Sequence, residues 1–270
     1  MANIYGTSAS ETVFGSPQDD EIRSYGGDDV IYAGEGNDRI ITAEGADTVF
    51  GGDGDDQVNG YPEDPLDSVG IFSYWDASGP LLIYGDNGND FIVGSRRNDL
   101  IYGGRDNDRL IGLEGDDLLF GNEGDDWLLG KGGSDFLVVA EGNDLLFGDD
   151  GNDTLDGGWG YDHLEGGLGD DTYILSDRNF YIYDIGGSDK AIVSVSYVKL
   201  PSSVEQVVYV EGALPLPYWI DALIDNWGNG TKYVDEYLGA TRAFKYAFPS
   251  ALPAYDTSAD HAKGYTQLNR

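Results

Sequence analysis

The 270-residue chain contains no cysteine, which excludes disulfides, thiolate metal sites and cysteine nucleophiles. Histidine is nearly as scarce. His163 and His261 are the two present, and no His-Glu pair occurs, so a zinc site built on three histidines cannot form. Basic residues number 15 against 50 acidic ones, giving a net charge of −35 and a pI near 4.1. A field of that sign repels nucleic acid and anionic lipid, so neither is an expected partner. No apolar run approaches the ~18 residues that a membrane span requires. The opening Met1-Ala2-Asn3-Ile4 has neither a basic n-region nor an apolar core, so a Sec-type signal peptide is not expected. No Ser/His/Asp triad, paired-carboxylate cleft or phosphate-binding loop stands out, and the chain itself is expected to be non-catalytic.

What the chain does have is a beat of nine. Asp20, Asp29, Asp38, Asp47 and Asp56 stand nine residues apart. The beat resumes at Asp90, Asp99, Asp108, Asp117, Asp126, Asp135, Asp144, Asp153, Asp162 and Asp171. Two residues beyond each aspartate comes a large apolar residue, from Ile22 and Ile31 to Leu164 and Tyr173. Most are preceded by a glycine-rich turn such as Gly51-Gly52-Asp53-Gly54-Asp55-Asp56. The unit is a nonapeptide with aspartate sixth and the apolar residue eighth.

Nine residues make a structural unit for two reasons. The last four form a short extended segment with the apolar residue on one face. The first six form a tight turn whose glycines accept positive φ. Two units complete one coil, and stacked coils pair their strands in parallel about 4.8 Å apart. The expected fold is therefore all-β, a parallel β-roll with an apolar ladder inside. Six repeats occupy 1–59 and ten occupy 85–174, separated by an insertion at 60–84 that reads as a hairpin. Residues 175–212 alternate as strands of a cap, and 213–270 form a short mixed tail with a possible helix around 219–224.

Stacking brings aspartates 18 residues apart to one edge, as in Asp29 with Asp47, Asp117 with Asp135 and Asp153 with Asp171. Adjacent carboxylates repel without a counter-ion. Hard carboxylate and carbonyl oxygens suit Ca²⁺, which takes roughly six of them at ~2.3–2.6 Å. All fifteen aspartates are therefore candidate metal ligands, most serving two ions. Some turns read as weaker. The first unit carries Glu11 for aspartate, and Gln18 and Arg97 stand where later units usually show the fourth-position glycine; Asp106, at the same position, tolerates a left-handed backbone.

These repeats resemble those of the RTX, or haemolysin-type, calcium-binding family over about 6–174. Residues 170–212 resemble the strand-rich cap of serralysin-type C-terminal domains. The resemblance implies several Ca²⁺ ions, a protein that folds outside the cell, and bacterial export through a type I secretion channel. The tail, LPYWIDALIDNWGNGTKYVDEY followed by FKYAFPSALPAY, resembles the opening of a serralysin-like metalloprotease domain, without the H-E-x-x-H motif which that chemistry needs. The leading expectation is a secreted calcium-binding module supporting an attached domain. The alternatives are the non-catalytic part of a secreted zinc metalloprotease and a calcium-dependent adhesin or surface-layer protein.

Three smaller features complete the reading. The insertion concentrates Phe72, Tyr74, Trp75 and Tyr84, as expected of a hairpin packed on the roll. Arg105 and Arg109 are expected to offset local acidity, and His163 to sit at an outward strand position. Phe91, Leu100, Leu118, Trp127, Phe136 and Leu145 form an outward apolar stripe that calls for a cover.

Overall fold

The structure, a computed structural model, describes residues 2–59, 79–194 and 198–209. Among the described residues every element is a strand, and the strands form two parallel sheets. They alternate along the chain: Ala2–Tyr5 lies in one sheet, Thr12–Phe14 in the other, Asp20–Arg23 back in the first. The pairing register is 18 residues almost throughout, as in Val30 with Thr48 and Leu110 with Leu128. This is the expected parallel β-roll. No helix among the described residues is long and apolar enough to cross a membrane.

The eighth position of each unit points inward. Ile22, Ile31, Ile40, Val49, Val58, Ile92, Ile101, Leu110, Leu119, Leu128, Leu137, Leu146, Leu155, Leu164 and Tyr173 are all fully buried in one continuous core. Burying each such side chain contributes roughly 1.5–3 kcal/mol, which only neighbouring coils can realise. The turns need glycine for a backbone reason. Gly52 and Gly54 have φ of 112° and 134°, the left-handed region that other residues rarely adopt.

The roll extends past both limits read from the repeat pattern. Strand Leu82–Asn87 pairs directly with Thr48–Asp53, and Gln57–Val58 with Phe91–Val93. The offset there is 34 residues, as in Thr48 with Leu82, so sixteen more residues separate these partners than elsewhere. Residues 79–84 thus fall in the roll as the later part of a further repeat, with Gly79 in place of the fourth-position glycine, Ile83 in the core and Leu81 where aspartate belongs. Toward the other end, Phe180–Tyr183 and Asp189–Val193 keep the 18-residue register with Asp162–Leu168 and Thr172–Leu175. Val204–Tyr209 then adds a last parallel strand through a register shift.

The chain divides into Met1–Val210 and Glu211–Arg270. The second unit, with the protease-like tail and the possible helix, lies outside the described residues, as do Phe72, Tyr74 and Trp75.

The outward apolar stripe proves to be two, because alternate units face opposite sides of the roll. Leu82, Leu100, Leu118 and Phe136 share one sheet and are buried. Phe91, Trp127 and Leu145 belong to the other, where Leu145 is exposed. Arg109 stacks there over the rings of Trp127 and Phe91, at 3.5 and 5.1 Å, so its role includes a cation–π contact as well as charge. Arg105 approaches Glu123 at 3.9 Å. His163 sits outward beside Phe147 and Tyr181. On the opposite sheet the ninth positions carry stacked rings from Phe14 through Tyr32, Phe50, Tyr84 and Tyr102 to Phe120, with centroids 4.8–5.4 Å apart.

Candidate metal centre

The aspartates are drawn into two files, one along each edge of the roll. One edge carries Asp29, Asp47, Asp99, Asp117, Asp135, Asp153 and Asp171, with Leu81 interrupting the file between Asp47 and Asp99. The other carries Asp20, Asp38, Asp56, Asp90, Asp108, Asp126, Asp144 and Asp162. All fifteen are buried.

Each carboxylate divides its work. Its Oδ1 accepts a hydrogen bond from the backbone N–H of the sixth residue one coil earlier: Asp99 N to Asp117 Oδ1 at 2.7 Å, Asp117 N to Asp135 Oδ1 at 2.8 Å, Asp126 N to Asp144 Oδ1 at 2.7 Å. The ladder bridges the added residues too, since Asp56 N donates to Asp90 Oδ1 at 2.7 Å. One oxygen per aspartate is therefore committed to the roll itself.

In twelve of the fifteen the other oxygen has no partner. Oδ2 of Asp29, Asp38, Asp47, Asp56, Asp90, Asp108, Asp117, Asp126, Asp135, Asp144, Asp153 and Asp171 is buried without a hydrogen bond. A buried anionic oxygen left unsatisfied costs several kcal/mol, so a row of them calls for a cation. The donor set fits Ca²⁺. These oxygens enter the space left open by the missing side chain of the first glycine in the turn, beside a carbonyl of the next coil. A Cβ built on Gly51 would stand 2.5 Å from Asp56 Oδ2 and 2.7 Å from the Gly85 carbonyl oxygen. Asp90 with Gly103 over Gly85, and Asp153 with Gly166 over Gly148, repeat the arrangement. All donors are hard oxygens, with no nitrogen or sulfur among them.

Two turns differ, and both lack the fourth-position glycine. Neither Gln18 nor Arg97 has a positive φ, whereas Asp106 does, at 73°. In those two turns the second residue bends back onto the carboxylate. Ser16 donates its N–H to Asp20 Oδ2 at 2.8 Å and its hydroxyl at 2.7 Å. Ser95 donates its N–H to Asp99 Oδ2 at 2.5 Å. Asp20 and Asp99 thus have internal donors where all the other repeat aspartates but Asp162 have an orphaned oxygen. Glu11 does similarly, receiving the Thr7 N–H.

Ionisation follows this division at Asp20 but not at Asp99, which burial carries to about 7 in spite of the hydrogen bonds from Leu81 and Ser95. Burial pushes Asp117 up to about 10, reinforced by Asp99 and Asp135, and pushes Asp108 to about 9. Burial also carries Asp56, Asp144 and Asp153 to about 8, and Asp47, Asp90 and Asp135 to about 7. Burial acts on Asp20 as well, but hydrogen bonds from Ser16 and Ala2 outweigh it and hold that carboxyl below its ordinary value.

A second polar ladder runs beside the first in the opposite sense. The residue before each aspartate offers its side-chain oxygen to the next coil's N–H: Asn89 N to Asp55 Oδ1 at 2.9 Å, Asp125 N to Asn107 Oδ1 at 2.7 Å, Ser134 N to Asp116 Oδ1 at 2.8 Å. The sequence signal was the Asn/Asp preference at the fifth position. Sequence reasoning also passed over Asp189, which lies 18 residues after Asp171 behind Gly186-Gly187 and continues its file: Asp171 N donates to Asp189 Oδ1 at 3.0 Å.

An array of coils whose edges present unsatisfied carboxylate oxygens defines a calcium-binding β-solenoid. A family model for the RTX calcium-binding nonapeptide repeat matches residues 5–40, 33–62, 84–119, 102–137 and 139–173, more than half of the chain. The chain belongs to that family, and its aspartate-rich turns suit multiple calcium ions. No curated protein matches the chain.

The contrast between the two turn types is testable. Asp117→Asn keeps an oxygen for the Asp99 N–H but replaces the orphaned oxygen with an amide NH2, a donor that cannot ligate a cation. It should lower the number of bound calcium ions by one or two. At free calcium 100-fold above the dissociation constant, each lost ion withdraws about 2.7 kcal/mol of stability. Asp99→Asn should change calcium stoichiometry less. Calcium counting by equilibrium dialysis, with thermal melts in calcium, checks both; equal losses would contradict the distinction.

Proposed function

We propose that this chain is the calcium-dependent folding module of a secreted protein, exported unfolded through a type I channel and ordered outside the cell. Its repeat aspartates serve as ligands, twelve of them through an orphaned Oδ2, and the folded roll supports the export and stability of an attached domain. The observation that carries this reading is the row of buried Oδ2 atoms without partners along both edges. Such a roll depends on its cations for folding, because binding energy becomes folding energy when no site exists in the unfolded chain. Modules of extracellular type bind calcium at roughly 10⁻⁴–10⁻³ M, so the cytosol leaves them empty and the exterior fills them. The absence of cysteine suits an export route that needs no disulfide formation.

The deciding experiment is a calcium titration of the metal-free chain followed by far-UV circular dichroism. The folding midpoint should fall in the window of about 0.1–1 mM. A midpoint below about 1 µM would overturn the reading, since sensor-type affinities of that order fill inside cells.

A further inference from the structure

Beyond the repeat turns, the C-terminal end of the roll gathers three carboxylates. One oxygen each from Asp171, Asp184 and Asp189 lies within 4.8 Å of the others. Asp184 stands 18 residues after Gly166, at a first position where the preceding coils of its edge carry Gly130, Gly148 and Gly166. It therefore brings a carboxylate into the place where those turns have no side chain.

An acidic cluster alone would mean little, but Asp171 is 1% exposed and its Oδ2 is buried without a hydrogen bond. That oxygen and the Tyr173 hydroxyl both enter the space over Gly166. The Tyr173 hydroxyl accepts the Gly166 N–H at 2.9 Å and donates to Asp184 Oδ2 at 2.5 Å. Tyr173 is the sole tyrosine at the eighth position of the sixteen units read from the sequence; the other fifteen are aliphatic. Its ring fills the core, and its hydroxyl reaches the turn and fixes one oxygen of Asp184. Asp184 Oδ1 accepts the Gly186 N–H at 3.3 Å. Asp189 Oδ1 accepts the Asp171 N–H, and Glu205 Oε2 accepts the Asp189 N–H at 2.7 Å, closing the file of aspartates.

We propose that Asp171, Asp184 and Asp189 form a separate terminal site for one divalent cation of hard-oxygen preference, calcium foremost, which is the tightest site on the chain. The inference rests on the calcium-binding reading given above. It adds to that reading a site of different make-up from the repeat turns. An interior turn offers an orphaned aspartate oxygen and neighbouring carbonyls; this one offers three converging carboxylates, and affinity for calcium rises with the charge count of the ligands. The site joins the last nonapeptide turn to the strands that follow it, so the ion that fills it first gives the chain a point from which coils stack.

The test uses the full chain, titrated with calcium against a fluorescent chelator. Asp184→Gly restores the residue found in the preceding coils, so the fold is retained. The wild-type chain should show one ion bound more tightly than the rest. Asp184→Gly should weaken that ion by about tenfold or more and leave the other ions unchanged. Tyr173→Phe, which keeps the ring and removes the hydroxyl, should weaken the same ion. Asp135→Asn, in an interior turn, should leave it intact. A titration of Asp184→Gly that superimposes on wild type overturns the terminal site alone. A wild-type chain that takes up no calcium overturns the general reading and this site together.

Discussion

Stripping calcium from the chain at neutral pH should abolish most of its far-UV β-sheet signal, and returning millimolar calcium should restore it. The size of the effect follows from the buried carboxylates. Asp56, Asp144 and Asp153 are each pushed to about 8 from 3.8 by burial, with neighbouring carboxylates adding to the rise. Without metal, keeping such a group folded at pH 7.4 costs on the order of 4 kcal/mol by proton linkage, whether it stays charged or binds a proton. Three such groups already match the 5–15 kcal/mol that a typical domain has in hand. The remaining buried aspartates add to the deficit, and the glycine-rich turns add ordering entropy. Circular dichroism before and after chelation is the measurement. A spectrum indifferent to the chelator would show that the apolar ladder holds the roll without help.

The second large effect concerns acid. In calcium-free buffer, lowering the pH from 8 to about 5.5 should increase the ordered fraction of the chain. The sign follows from the direction of the shifts. Asp117 at about 10, Asp108 at about 9, Asp144 at about 8, and Asp38 and Asp171 at about 6 have folded values above the ordinary 3.8. The folded state therefore holds protons that the unfolded chain does not. Falling pH favours folding through this range, and the gain levels off near the unfolded value. Asp20, held low by Ser16, works the other way and contributes stability only above the unfolded value. The same protons compete with calcium, so calcium affinity should fall across the interval in which the metal-free chain gains order. Ellipticity recorded against pH without metal provides the check; a monotonic loss of structure on acidification would refute it.

Much of this was visible in the sequence because one spacing encodes both the core and the site. The nine-residue beat placed Leu110, Leu119 and Leu128 inside and Asp108, Asp117 and Asp126 at the turns. Units that keep the backbone but lose the marker residue were harder to see. Leu81 removed the aspartate by which 79–84 would have been counted, although Gly79 and Ile83 hold their places. Asp189 was hidden by a small core residue, Ala191, two positions later. The split of most carboxylates into a bonded and an orphaned oxygen was beyond the pattern altogether. It depends on the N–H of a residue 18 positions earlier pointing along the stacking direction, which only three-dimensional stacking reveals. The weak turns at Gln18 and Arg97 were legible as missing glycines. That a serine would satisfy the carboxylate there was not, because it requires the backbone to leave the left-handed region.

The jump in register between Thr48–Asp53 and Leu82–Asn87 has a practical corollary. Coils above and below that corner mate as if nothing intervened, so the length of chain between them is free to vary. For a loop closing such a corner, each doubling of length costs only about 0.6 kcal/mol in closure entropy. The corner after Asn59 is accordingly a ready splice point, where guest sequence can be carried as a passenger on the scaffold.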